Sequence, residues 1–187
     1  MDAFWKKCAD LKIPVSIHIA DHPSCWTPLD NNQERTPSYQ AYNQVGKDVL
    51  SYDELMNLLC RLLERHPKTT FIACHLANQG NDLAELSLKL DKYPNLFLDI
   101  SARDYEIGRT PRASAKFISK YSGRILFGTD LDRSKTMYQG WWRLLETADE
   151  YIKGRVWWQL YGLELSSQVL KPLYIGNSTK IMNWTKL

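Results

Sequence analysis

The sequence predicts an α/β domain organised around parallel strands, on three observations. Four short apolar runs alternate with longer stretches of helical period, in the order β-α-β-α-β-α-β-α. Such alternation favours a parallel sheet joined by right-handed crossovers. The chain has 187 residues, 44% of them hydrophobic and 24% charged, a globular mixture long enough for one packed domain over residues 1–187. A complete eight-unit barrel takes about 250 residues, so four strand signals describe either a small open sheet or half of a larger closed one.

Ala3 to Leu11 opens the chain as a helix that would follow a strand lying outside it, and Ile13 to Ala20 is the first apolar run. Asp21 to Ser51 is a connection of about thirty residues where such loops usually take two to six. Its prolines at 23, 28 and 37, Asn31-Asn32 and the aromatics Trp26, Tyr39 and Tyr42 suit an ordered lid or substrate wall. Tyr52 to Arg65 is helical, with Leu55, Leu58, Leu59, Leu62 and Leu63 at helical spacing, and His66 at its end suits the helix dipole. Thr69 to Ala77 is the second strand, followed by a helix from Leu83 to Tyr93 that Asn81 or Asp82 can cap. Asn95 to Ser101 is the third strand, and Pro111 suits the first turn of a helix reaching Tyr121. Arg124 to Asp130 is the fourth strand, with a helix from Tyr138 to Ile152 behind it. Trp141-Trp142 and Trp157-Trp158 read as core or subunit contact, with stacking on a sugar or aromatic ring as the alternative.

Composition excludes several functions. The net charge of +3 comes from 24 basic and 21 acidic residues interspersed along the chain, without the basic stripe of a nucleic-acid binder. No run approaches the roughly 18 apolar residues of a membrane span. The opening Met1-Asp2-Ala3-Phe4-Trp5-Lys6-Lys7 has no apolar run before a cleavage site, so the cytoplasm is the default location. Export stays open because an N-terminal portion is expected to be missing. Cys8, Cys25, Cys60 and Cys74 form no C-x-x-C pair and read as reduced, mostly buried thiols.

Chemistry concentrates at the strand ends. By parity Ser16, His18 and Ala20 share one face of the first run, Ala73, His75 and Ala77 one face of the second, and Leu126, Gly128 and Asp130 one face of the last. Cys74 and His75 would point to opposite faces of a strand, which argues against their sharing one ion. A lone strand histidine is more often hydrogen-bonded core than ligand, and a strand-end aspartate is often only a helix cap. Three polar, ligand-capable groups at equivalent ends of parallel strands nonetheless sit where such folds place their sites. Imidazole and carboxylate are ligands of catalytic zinc, manganese and iron.

These residues resemble a known family. Ile13-Pro14-Val15-Ser16-Ile17-His18, Phe71-Ile72-Ala73-Cys74-His75-Leu76, Leu96 to Ser101 and Ile125-Leu126-Phe127-Gly128-Thr129-Asp130 look like strands five to eight of the amidohydrolase-related branch of the amidohydrolase superfamily. The resemblance runs through a closing helix around Asn177 to Trp184. It implies a partial TIM barrel of about four β/α units, the C-terminal half of a metal-dependent hydrolase or decarboxylase. It implies His18 as the strand-five metal ligand and Asp130 as a metal-contacting general base. His75 would be a second ligand, or would orient water and polarise the substrate. The implied cofactor is a divalent metal, zinc first, with manganese or iron as alternatives. The family's strand-one His-x-His pair has no counterpart here. The half-barrel alone is therefore expected to be nearly inactive, and to associate with a second copy or with its missing N-terminal half.

Four residues are candidates for binding a small-molecule substrate. His22 lies on the long loop just past the first strand, and Asn78 offers an amide at the mouth. Arg103 and Arg109 can hold a carboxylate or phosphate through paired donors, or can equally form surface ion pairs. Asp99, in parity with Phe97 and Ser101, is a candidate acceptor behind the ligands. The expected reaction is hydrolysis of an ester, lactone or amide of a small polar metabolite. Non-oxidative decarboxylation is the alternative chemistry, and a non-catalytic half-barrel remnant is the alternative of another class.

Overall fold

The computed structural model describes residues 1–28, 41–131 and 133–182. The expected Tyr39, Pro37 and Asn31-Asn32 of the long loop, and Trp184 of the closing helix, lie outside the described residues. The expected parallel sheet is present: β1 (Val15–Ile17), β2 (Phe71–Ala73), β3 (Leu96–Asp99) and β4 (Ile125–Leu126) lie in sequence order, every pair parallel. The register aligns Val15 with Phe71 and Phe71 with Leu96, so all four strands finish along one edge. The strands are shorter than the apolar runs because the chain turns sharply at their C-terminal ends. Non-glycine residues of positive φ follow each strand: Ala20, His75 to Asn78, Ala102 and Asp130.

The helices form where their periodicity and caps place them. α1 (Asp2–Leu11) precedes β1, and α2 (Tyr52–Arg65) begins at a capping box in which the Ser51 hydroxyl accepts from Glu54 N and Glu54 Oε2 accepts from Ser51 N. α3 (Cys74–Ala77) is a single turn, whereas α4 (Leu83–Lys92) is capped by the Asp82 carboxylate. α5 (Asp104–Ile107) and α6 (Pro111–Lys120) return to β4, with Pro111 in the first turn. α7 (Lys135–Glu146) starts and stops earlier than the periodicity predicts. Ser134 caps its start, and Thr147 ends it by donating its hydroxyl to the Arg143 carbonyl. Ile152, expected in that helix, instead pairs in a short antiparallel ribbon of β5 (Ile152–Lys153) and β6 (Gln159–Leu160). α8 (Ser167–Lys171), a wider turn at Pro172–Gly176 and α9 (Asn177–Met182) close the chain.

Leu59 and Leu63 of α2, Leu86 and Leu90 of α4, Phe117 and Ile118 of α6, and Trp141, Leu144 and Leu145 of α7 bury against Phe71, Ala73, Leu96, Leu98 and Ile125 of the sheet. Each of these large side chains contributes on the order of 1.5–3 kcal/mol by leaving water. Polar staples fix the layers: the Asn95 amide donates to the Leu63 and His66 carbonyls, and the Asn177 amide to those of Ser122 and Ile125. His66 ends α2, but its ring also reaches across to the Asp2 carboxylate at 3.3 Å. Trp141 is core and Trp158 packs against it, whereas Trp142 and Trp157 are exposed. Within the long connection, Trp26 donates its indole N–H to the Leu50 carbonyl and packs on Tyr52, while Tyr42 is exposed. Among the described residues no helix is long and apolar enough to cross a membrane.

Candidate functional site

The common finishing edge of the strands brings three of the predicted site residues together. His18 follows β1 directly and His75 follows β2 by two positions, and their imidazole centroids stand 5.0 Å apart with rings nearly perpendicular. Asp130, beyond β4, places its Oδ2 3.7 Å from His75 Nε2 and is 65% exposed at the mouth. A glycine makes that approach feasible. A Cβ at Gly128 would meet the Ser101 Cβ at 3.3 Å, so a larger residue would make the two segments give by a few tenths of an ångström. Burial lowers the His18 pKa from the ordinary 6.5, and the neighbouring His75 and Arg103 lower it further, against the opposing pull of Asp21 and Asp130. His18 is thus biased towards the neutral form that can donate a lone pair.

His75 is held by its backbone as firmly as by its ring. His75, Leu76, Ala77 and Asn78 have φ of 60, 53, 54 and 53°, four consecutive non-glycine residues in the left-handed region. Each costs about 1 kcal/mol or more, so the turn persists only because its surroundings determine it. Asp99 Oδ1 accepts from His75 N at 2.9 Å, and Arg103 Nε donates to His75 O at 3.2 Å. Tyr52 Oη donates to Asn78 O at 3.0 Å. The His75 side chain is fixed at Nδ1, 2.8 Å from the Ser101 carbonyl oxygen and 3.0 Å from Ser101 Oγ. The parity reading therefore fails at this position, because β2 stops at Ala73. Cys74 places its thiol 3.1 Å from Ser16 Oγ, and burial pushes that thiol pKa up.

Beneath the histidines lies a buried polar platform, where three of the four expected substrate contacts are engaged by neighbouring protein groups. The Asn78 amide donates to Ile19 O and Ala20 O, and its oxygen accepts from Arg103 Nη2, so this side chain ties the end of β1 to the turn after β2. Arg103 is 6% exposed and donates to His75 O, Ala102 O, Tyr105 Oη and Asn78 Oδ1. Its donors face protein rather than the mouth. His22 Nδ1 accepts from Ser24 N, capping the short helix at Pro23–Trp26, while Nε2 lies 3.4 Å from Glu106 Oε1. Glu106 is the residue the sequence reading passed over. It sits in the buried centre, its Oε1 3.8 Å from Arg103 Nε, and its Oε2 occupies space that a Cβ at Gly80 would fill at 2.0 Å. Its spacing of three after Arg103 on one helical turn, with a glycine opposite, was the available signal. Burial, with Glu106 as the next cause, raises the Tyr52 pKa, so its phenol stays a donor.

Arg109 is not gathered with the others. Its guanidinium lies 4.8 Å above the Trp158 ring. It also lines a groove of about 740 Å³ with residues that include Thr110, Pro111, Glu150 and Tyr161 but none of His18, His75 and Asp130.

For a divalent ion, the donors at the strand ends fit in kind and fall short in number. Two imidazoles and a carboxylate are suitable ligands, yet among the described residues no three His, Cys, Asp or Glu side chains gather closely enough to hold an ion. Further ligands would have to come from elsewhere.

The comparisons with known proteins agree with this fold. No curated protein sequence matches the chain. Among solved structures, a TIM-barrel protein of uncharacterised function from Bordetella bronchiseptica aligns with 99% of this chain and 50% of its own, with a TM-score of 0.53 and 17% identity. 2,6-Dihydroxybenzoate decarboxylase from Rhizobium aligns with 98% of this chain and 55% of its own, with a TM-score of 0.51 and 15% identity. A dihydroxybenzoic acid decarboxylase from Polaromonas sp. JS666, solved with manganese and the inhibitor 2-nitroresorcinol, aligns with 98% and 54%, with a TM-score of 0.50 and 16% identity. At such identities the likeness is one of fold, and the chain spans about half the length of these relatives, as a partial barrel does. The Amidohydrolase family model matches residues 1–184, and the chain belongs to that family.

Proposed function

We propose that the chain supplies the strand-five to strand-eight half of a metal-dependent hydrolase centre acting on an ester, lactone or amide of a small polar metabolite. The observation that carries this reading is the convergence of His18, His75 and Asp130 at one strand edge. His18 and Asp130 would hold a divalent ion, zinc first, with the remaining ligands contributed from outside the described residues. When bound, such an ion would lower the pKa of water from far above neutrality to about 7. Asp130, exposed at the mouth, would take the proton from the attacking water and return it to the leaving group. His75, seated on its left-handed turn, accepts a hydrogen bond from that water and orients it. Arg109, over Trp158, remains the candidate for a more distant anionic group of the substrate. The four free thiols suit a reducing cytoplasm.

Decarboxylation is the second reading, favoured by the decarboxylases among the similar structures and by the manganese in one of them. Calorimetric titration of Zn²⁺ and Mn²⁺ into the chain, its His18→Ala and its Asp130→Asn forms tests the shared premise. Each substitution is expected to weaken metal binding at least about tenfold, the worth of one lost ligand or its neighbours. Equal affinity in all three proteins would remove the ion from this site.

A further inference from the structure

We infer that Asp99 and Ser101 are positioning residues that lock the His75 imidazole in its Nδ1–H tautomer, leaving the Nε2 lone pair turned towards Asp130 and the mouth. The proton assignment follows from what each partner can do. A backbone carbonyl only accepts, so the 2.8 Å approach of His75 Nδ1 to Ser101 O requires a proton on Nδ1. Ser101 Oγ gives the same answer by another route. Its hydroxyl donates to Asp99 Oδ1, so towards His75 Nδ1, at 3.0 Å, it can only accept. One ring N–H is thus shared between two acceptors of the same residue, and Nε2 carries no proton in the neutral ring.

Asp99 holds both ends of this arrangement. A single oxygen, Oδ1, accepts from His75 N and Ser101 N, each at 2.9 Å, as well as from Ser101 Oγ. It therefore fixes the spacing between the turn after β2 and the end of β3, over which the imidazole is stretched. Without it the left-handed turn would lose one of the contacts that offset its backbone strain. The free nitrogen then points where chemistry is available: Nε2 lies 3.7 Å from Asp130 Oδ2, and the His18 ring stands beside it. An Nδ1-bound proton suits a group that must accept a proton or donate a lone pair at Nε2. The opposite tautomer would present an N–H there and block both.

This inference rests on the proposed function only for its consequence, since the tautomer is a property of the chain without metal or substrate. Long-range ¹H–¹⁵N correlation spectra of the ¹⁵N-histidine-labelled chain, recorded at about pH 8 where an ordinary histidine is neutral, read it directly. Wild type is expected to show a pyrrole-type Nδ1 and a pyridine-type Nε2 for His75. Asp99→Ala and Ser101→Ala are expected to shift the ratio towards Nε2–H by roughly fivefold or more, the equivalent of about one hydrogen bond. Ser101→Thr, which keeps the hydroxyl, is expected to retain the wild-type pattern. Should Asp99→Ala fail to fold, as judged by circular dichroism, Ser101→Ala and Ser101→Thr carry the test. A wild-type His75 protonated on Nε2, or a folded Ser101→Ala with the wild-type ratio, would overturn the lock. A wild-type Nδ1–H signal alongside unchanged metal binding in His18→Ala would instead keep the lock and remove the proposed function.

Discussion

Single residues decide what the strand edge can do, and the sequence showed their kinds better than their orientations. His18, His75 and Asp130 were legible as candidates because polar groups ending apolar runs are costly unless they are used or paired. The burial of Asn78 and Arg103 was not legible, because nothing in their local sequence distinguishes a mouth-facing donor from one that braces a turn. The same holds for the left-handed His75 to Ala77. Neither leucine nor alanine favours positive φ, so only contacts from Asp99, Arg103 and Tyr52, distant in the chain, can enforce it. The depressed His18 pKa has a consequence for stability with a definite sign. As pH falls through about 6.5 the unfolded chain takes up a proton on this imidazole that the folded chain refuses, so stability falls until the lower folded value is passed. Urea denaturation at pH 7.5 and pH 5.5 should therefore show a larger loss in wild type than in His18→Gln. Equal losses would mean that His18 titrates alike in the folded and unfolded chain.

Elements followed the sequence where local signals and tertiary packing agreed. Tyr52–Arg65 and Pro111–Lys120 have an amphipathic period together with a start signal, and they form as expected. The helix expected to reach Ile152 stops at Glu146, because Thr147 turns its hydroxyl back on the helix and Asp149 accepts from Gly162 N at 2.8 Å. That turn packs so closely that a Cβ at Gly162 would lie 2.0 Å from the Thr147 carbonyl oxygen and 2.8 Å from its carbon. Gly140 is the contrast, an exposed α7 glycine whose added Cβ would meet nothing within 4 Å. Gly162→Ala should cost about 1–3 kcal/mol or more through overpacking, and Gly140→Ala should gain about 0.5–1 kcal/mol of helix propensity. Thermal denaturation monitored at 222 nm checks both; an unchanged Tm for Gly162→Ala would mean that the backbone there yields without strain.

At the scale of the whole molecule, four parallel strands end together, and among the described residues the two outer strands have one neighbour each. The half-barrel form was what the family resemblance implied; that the chain forms a small open sheet or half of a larger closed one was legible from the count of strand signals against the length of a full barrel. How the edges are covered was not, since edge strands carry no pattern naming their partner. β1 at one edge positions His18 and β4 at the other leads to Asp130, so the site spans the sheet and depends on its curvature. The account stands on those side chains sharing one ion at the mouth. Anomalous diffraction from crystals of the chain grown with Zn²⁺ locates that ion directly. The predicted result is a peak about 2 Å from a His18 ring nitrogen and an Asp130 carboxylate oxygen, with His75 beside it. Zinc bound only at other residues, with the strand edge empty at saturating metal, would contradict it.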